Sequence, residues 1–171
     1  MCTKKDDVEK IVDIIRDAGG KLVGRTRLQK TACLLELAGQ GEGFHFDYHH
    51  YGPYSEELAH AAVLASAMNR IHEEEHRAEW GGRYSVYTSS EHNAPSASEP
   101  VRGALIHKAA TANAITLELA TTAAYLAHEG EDDPWGETAR RKPDKAEDGR
   151  LENAKQLYQE LRGIAPGLPE I

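Results

Sequence analysis

Ile71-His72-Glu73-Glu74-Glu75-His76-Arg77-Ala78-Glu79-Trp80-Gly81-Gly82-Arg83-Tyr84-Ser85-Val86-Tyr87-Thr88 is the stretch on which the fold turns. Its second limb is rich in residues that suit a pleated sheet, and Gly81-Gly82 supplies the backbone freedom of a tight turn. Two antiparallel strands are predicted, from Ile71 to Ala78 and from Arg83 to Thr88. The same residues contain His72-Glu73-x-x-His76, the pattern of a zinc-dependent hydrolase. That chemistry needs a helix, on which residues four apart share a face. On a strand the two histidines stand about 13 Å apart and cannot share an ion. The strand reading makes the first limb a solvated acidic wing, with zinc hydrolysis through His72, Glu73 and His76 as the remote alternative.

Upstream of the hairpin the periodicity is helical. Asp6-x-x-Glu9 forms an Asp-led capping box ahead of Val8, Ile11, Val12, Ile15 and Ala18, and Gly19-Gly20 ends that helix. Lys21 to Gly24 is a short extended piece. A second helix is expected from Thr26, with Gln29 completing another capping box and Leu28, Ala32 and Leu35, joined by Cys33 and Leu37, facing inward. Phe44 to Tyr54 reads as irregular and aromatic. Pro53 fixes its own φ and biases Gly52 away from helix, so the next helix opens at Ser55, with Glu56 and Glu57 in its first turn. Leu58, Ala61, Ala62, Ala65 and Met68 are its expected inward face.

Three helices and a hairpin are the order of a winged helix-turn-helix. The fold expected is mainly α with a small β-hairpin, a winged-helix-like residues 1–90 followed by a C-terminal helical bundle. Residues 91–98, rich in small side chains, read as a linker, and 99–171 as a helical extension packed on the first part as one unit. Within that extension helices are expected over Pro100 to Ala112, Ile115 to His128, Pro134 to Arg141 and Leu151 to Arg162, with Leu151, Ala154, Leu157, Tyr158 and Leu161 on one stripe.

Aromatic residues make up only 6% of the 171, so alanine and leucine must fill the core, which suits helix-on-helix packing. No apolar run approaches the roughly 20 residues of a membrane span, and the start lacks the apolar stretch of a secretory signal. A cytoplasmic location without membrane association is the expectation. The formal charge of −8 repels a phosphate backbone, so nucleic acid could be bound only through a locally basic face. The helix that would read DNA opens with two glutamates and offers only His60, Asn69 and Arg70 as contacts, which weighs against sequence-specific readout.

Two clusters remain as binding candidates. Lys21, Arg25, Arg27 and Lys30 gather at the start of the second helix, where they could hold an anion, line a solvated face, or pair with Glu36 or Glu57. His45, His49 and His50 lie among Tyr48, Tyr51 and Tyr54, a composition better suited to packing or a protein contact than to a metal. Cys33 reads as an inert core thiol. No phosphate loop, triad order or nucleotide fingerprint appears, so neither a cofactor nor a catalytic residue is expected.

Gly24-Arg25-Thr26-Arg27-Leu28-Gln29-Lys30 with Tyr48-His49-His50-Tyr51-Gly52-Pro53-Tyr54-Ser55-Glu56-Glu57-Leu58 resembles the SocA/Panacea antitoxin-like superfamily, and within it the YwgA-like branch. Members pair an L-Q-K helix with a Y-G-P-(Y)-S turn that opens the next helix. Trp80-Gly81-Gly82-Arg83-Tyr84, Leu117-Glu118-Leu119-Ala120 and Tyr125-Leu126 are similar to that branch too. The resemblance implies a helical domain with a small hairpin, acting as an antitoxin or as an adaptor that delivers a partner to a protease, and it carries no catalytic residue across. Taken together, the expectation is a non-enzymatic protein-binding module whose partner is a toxin or a protease-delivered substrate. Arg25, Arg27, Lys30, Tyr48, His49, Tyr51, Tyr54 and Glu57 are the expected contact residues, and Gly52, Pro53 and Ser55 the structural turn. A winged-helix DNA-binding regulator is the rival, and self-association is left open.

Overall fold

A computed structural model of the chain describes residues 6–50, 52–89 and 99–171. The order is α1 (Asp7–Asp17), β1 (Lys21–Val23), α2 (Arg25–Leu37), β2 (Asp47–His49), β3 (Gly52–Tyr54), α3 (Glu56–Ala67), β4 (Ile71–Arg77) and β5 (Arg83–Ser89). Then follow α4 (Pro100–Thr111), α5 (Ala114–His128), α6 (Pro134–Arg141), α7 (Pro143–Ala146) and α8 (Arg150–Ile164). The protein is mainly helical with small antiparallel sheets. The expected linker 91–98 lies outside the described residues.

The hairpin forms where the sequence places it. β4 and β5 pair from Ile71↔Ser89 to Arg77↔Arg83, and β1 adds to the other edge of β5 through Leu22↔Tyr87, giving the order β1-β5-β4. The Phe44 to Tyr54 stretch is more regular than expected. β2 and β3 pair as a second, two-stranded sheet, with Tyr48 opposite Pro53. Phe44 and Phe46, just before it, are buried.

Helix ends show which caps hold. The Asp6 carboxylate accepts from the Glu9 amide at 2.8 Å, but the Glu9 carboxylate pairs with Arg70 rather than closing the box. α2 begins one residue earlier than expected, on Gly24 at φ +95°, and no side chain caps it. Gln29 is drawn away to another partner, so the expected Thr26/Gln29 box does not form. Ser55 caps α3 as expected, its Oγ accepting from the Leu58 amide at 3.2 Å. Met68, expected inward, follows the last turn of α3 and is exposed. Asn113 separates α4 from α5, its Oδ1 accepting from the amides of Ile115 and Thr116.

The stripe expected for α2 is too narrow. Every residue from Leu28 to Leu35 is buried, because α2 packs against α4 and α5 on one side and β1 and β3 on another. One apolar cluster runs from Val8 of α1 through α2, α3 and α5 to Leu157, Tyr158 and Leu161 of α8. Arg102 of α4 donates to Asp17 of α1 at 2.9 Å, with both side chains buried, and so joins the C-terminal helices to the N-terminal part.

Candidate functional site: a clasp and the surface beside it

Residues expected to form one contact surface divide into two groups. The first is internal. The Gln29 carboxamide bonds both backbone groups of Ser55, accepting from its amide and donating to its carbonyl, each at 2.9 Å. One residue on, Lys30 Nζ donates to the Pro53 carbonyl at 2.7 Å. Lys30 is only 2% exposed, so its expected place in a contact surface is corrected: it is a buried fastener. Burial lowers its pKa to about 8, against the field of Glu118, which raises it. The L-Q-K and G-P-Y-S segments therefore form one clasp between α2 and the turn into α3.

Glu118 of α5 anchors the far side. Its carboxylate accepts from Lys142 at 2.7 Å and from Lys145 at 2.8 Å, with Glu118 and Lys142 both buried. Burial opposes ionisation of Glu118, but hydrogen bonds from the two lysines outweigh it and hold the carboxyl below its usual range. Gly52 closes the turn at φ +90°, and a Cβ there would lie 2.6 Å from Thr122 Oγ1 of α5. Pro53 and Ser55 are buried, as befits a structural corner. Cys33, behind Lys30, is fully enclosed, and burial pushes its thiol up to about 12, which leaves it un-ionised and unreactive.

The second group faces outward. Arg25 is exposed and reaches Glu73 of β4 at 3.2 Å, rather than the Glu36 or Glu57 expected from sequence. Glu36 instead gathers the amides of Glu42, Gly43 and Phe44. Arg27 is half-buried and largely a staple, its Nε donating to the Ala112 carbonyl at 2.9 Å and its Nη1 to that of Val23 at 3.0 Å. Two depressions meet at Arg25. The larger, about 580 Å³, lies between the start of α2 and the hairpin, lined by Arg27, Trp80, Arg83, Tyr84 and Glu75 among others. The smaller, about 150 Å³, runs between α2 and α3 and is lined by Tyr54, Ala59, Ala62, Val63 and Glu73. Trp80 is 80% exposed at the hairpin turn, its ring lying over Gly82, where any side chain would collide with it.

Beyond Val63, α3 keeps its outer face apolar. Val63, Leu64 and Met68 are 64%, 45% and 54% exposed, and Glu56 and Glu57 sit exposed at the head of the helix. Sequence reasoning assigns Met68 to the core and gives Val63, Leu64 and Trp80 no role in binding. The signal is present in α3, whose eleven-residue run from Leu58 to Met68 holds too many apolar side chains for one buried stripe.

Tyr48 lines neither depression at Arg25, and His49 touches the smaller one only through Tyr54. The Arg141 guanidinium covers the half-buried Tyr48 ring at 4.5 Å, and exposed His49 packs on Tyr54 at 5.2 Å between centroids. Tyr51 lies outside the described residues. His72 and His76 occupy one face of β4 and Glu73 the other, where Glu73 bonds Ser85 and Arg25, so the H-E-x-x-H residues do not converge. Among the described residues no helix is long and apolar enough to cross a membrane. Comparison with family models, curated proteins and solved structures finds no match to this chain.

Proposed function

We propose that the protein is a non-enzymatic binding module that holds a protein partner across the outer face of α3 and the depressions meeting at Arg25. One observation carries the reading: α3 turns Val63, Leu64 and Met68 to solvent as a contiguous apolar strip behind two exposed glutamates. A helix that enters a DNA groove needs donors or cations toward phosphates, and this one presents two carboxylates at its head, which phosphates repel. Apolar side chains rimmed by charge suit a protein surface instead. Arg25, which shares a depression with Val63, and exposed Trp80 in the other depression that meets at Arg25 are residue types that dominate binding energy in such contacts.

The resemblance to the SocA/Panacea superfamily supports an antitoxin-like or adaptor-like role. It makes the product of an adjacent gene the first partner to test. The neighbouring protein, expressed alone, is expected to arrest growth, and co-expression of this chain to relieve it. Val63→Glu lies on the surface and should change stability by no more than about 0.5 kcal/mol, yet it should abolish relief. Relief that survives Val63→Glu would refute the α3 surface.

The second reading is a winged-helix DNA-binding regulator. It is favoured by the order of α1, α2, α3 and the hairpin, and by exposed Arg77 and Arg83 on the hairpin. A gel shift with genomic fragments at two salt concentrations separates the two. Sequence-specific retardation that weakens steeply with salt would establish the regulator.

A further inference from the structure

We infer that the groove between the start of α2 and the β4–β5 hairpin receives an acidic peptide segment of the partner, with a carboxylate among the arginines and an apolar side chain against Trp80. The inference rests on the protein-binding reading above and names the chemistry of the segment bound. Charge complementarity carries it. Three arginines, Arg25, Arg27 and Arg83, line the groove; Glu75 lies with them and Glu73 pairs with Arg25, so cations still exceed carboxylates there although the chain as a whole carries −8. An acidic chain that concentrates cations at one concavity attracts an anion there and repels it elsewhere.

The arginines are held unequally, which suits capture. Arg27 is fixed by two backbone carbonyls and gives the groove a rigid cationic wall. Arg83 meets Glu75 only at 3.5 Å, both side chains well exposed, so that pair contributes little and can exchange for an incoming carboxylate. Guanidinium groups bind carboxylates with two parallel hydrogen bonds, a geometry that a neutral amide does not reproduce. Trp80, 80% exposed at the hairpin turn, provides the apolar wall, while the Tyr84 ring stacks on His76 on the opposite face of the hairpin. A volume of about 580 Å³ accommodates two or three side chains of a peptide, not a folded domain.

The test is selection of a random heptapeptide library displayed on phage against the purified full chain. Enriched peptides are expected to place Asp or Glu beside Phe, Leu, Ile or Val. Synthetic versions should lose affinity about tenfold or more when the acid becomes its amide, and equally on the Trp80→Ala or Arg83→Gln protein. Both variants change exposed side chains, and an unaltered circular dichroism spectrum confirms that they fold. The proposal is overturned if nothing is enriched, if neutral or basic peptides win, or if the selected peptides bind the Trp80→Ala protein undiminished. Displacement of the peptides by a DNA oligonucleotide, with binding of that DNA lost in Trp80→Ala, would assign the groove to nucleic acid and also overturn it. A groove that selects nothing, beside a Val63→Glu variant that has lost growth relief, sinks the groove alone and leaves protein binding standing.

Discussion

Lys30 shows how a single residue can carry the right importance and the wrong address. A lysine three residues after Arg27 reads as part of a basic patch, and nothing local distinguishes it from Arg25, which is exposed. The distinction comes from the Pro53 carbonyl, 23 residues away in sequence. A clue lies in its company, because Lys30 is the sole charged residue in the run from Leu28 to Leu35, as expected of a helix buried on all sides. The buried ammonium has a measurable consequence. Its pKa is about 8 in the folded protein against 10.5 for an ordinary lysine, so the native state gives up this proton first as pH rises. Below pH 8 the cost of burying the charge is fully present, and it is relieved between pH 8 and 10.5, so stability should rise across that window relative to a Lys30→Met variant. Lowering a pKa tenfold in acidity constant corresponds to about 1.4 kcal/mol, so a gain of a few kcal/mol is expected. Urea unfolding of both proteins at pH 7.5, 9 and 10 checks it, and parallel pH dependences would show that Lys30 is not buried as charged ammonium.

Elements are legible to the degree that their cause is local. The hairpin follows from Gly81-Gly82 and the strand-forming Tyr84 to Thr88, and α1 from its cap and its apolar spacing. α2 is recognisable as a helix but not as the central one, since α4 and α5, which cover its outer side, begin more than 60 residues later in sequence. β2 and β3 escape notice because three-residue strands have no periodicity to read. Gly52 is the element-scale counterpart of Lys30. Gly52→Ala must place a Cβ at φ +90° and 2.6 Å from Thr122 Oγ1, and it should destabilise the protein by about 1–3 kcal/mol or more. A melting temperature unchanged by that substitution would contradict the corner described here.

Across the whole molecule, the clasp and the proposed contact surface are back to back. Gln29 and Lys30 point inward to hold the turn, and Arg25, one helical turn earlier, points outward to the depressions. The recognisable segments L-Q-K and G-P-Y-S therefore account for how α3 is positioned, and α3 itself supplies the apolar face proposed to meet a partner. Sequence groups these residues at two helix starts but merges the buried and exposed ones, because chemistry-bearing residues are weighed by type before their facing is known. Apolar Val63, Leu64 and Trp80 are passed over for the same reason.

The most direct test of this division is site-specific photocross-linking. A benzophenone amino acid is introduced at Leu64 on α3, and for comparison at Glu152, exposed on α8. Each protein is irradiated with the purified product of the adjacent gene. The account predicts a one-to-one adduct from Leu64, none from Glu152, and loss of the adduct when Arg25→Glu is added to the Leu64 protein. Adducts of equal yield from both positions, or from Glu152 alone, would contradict it.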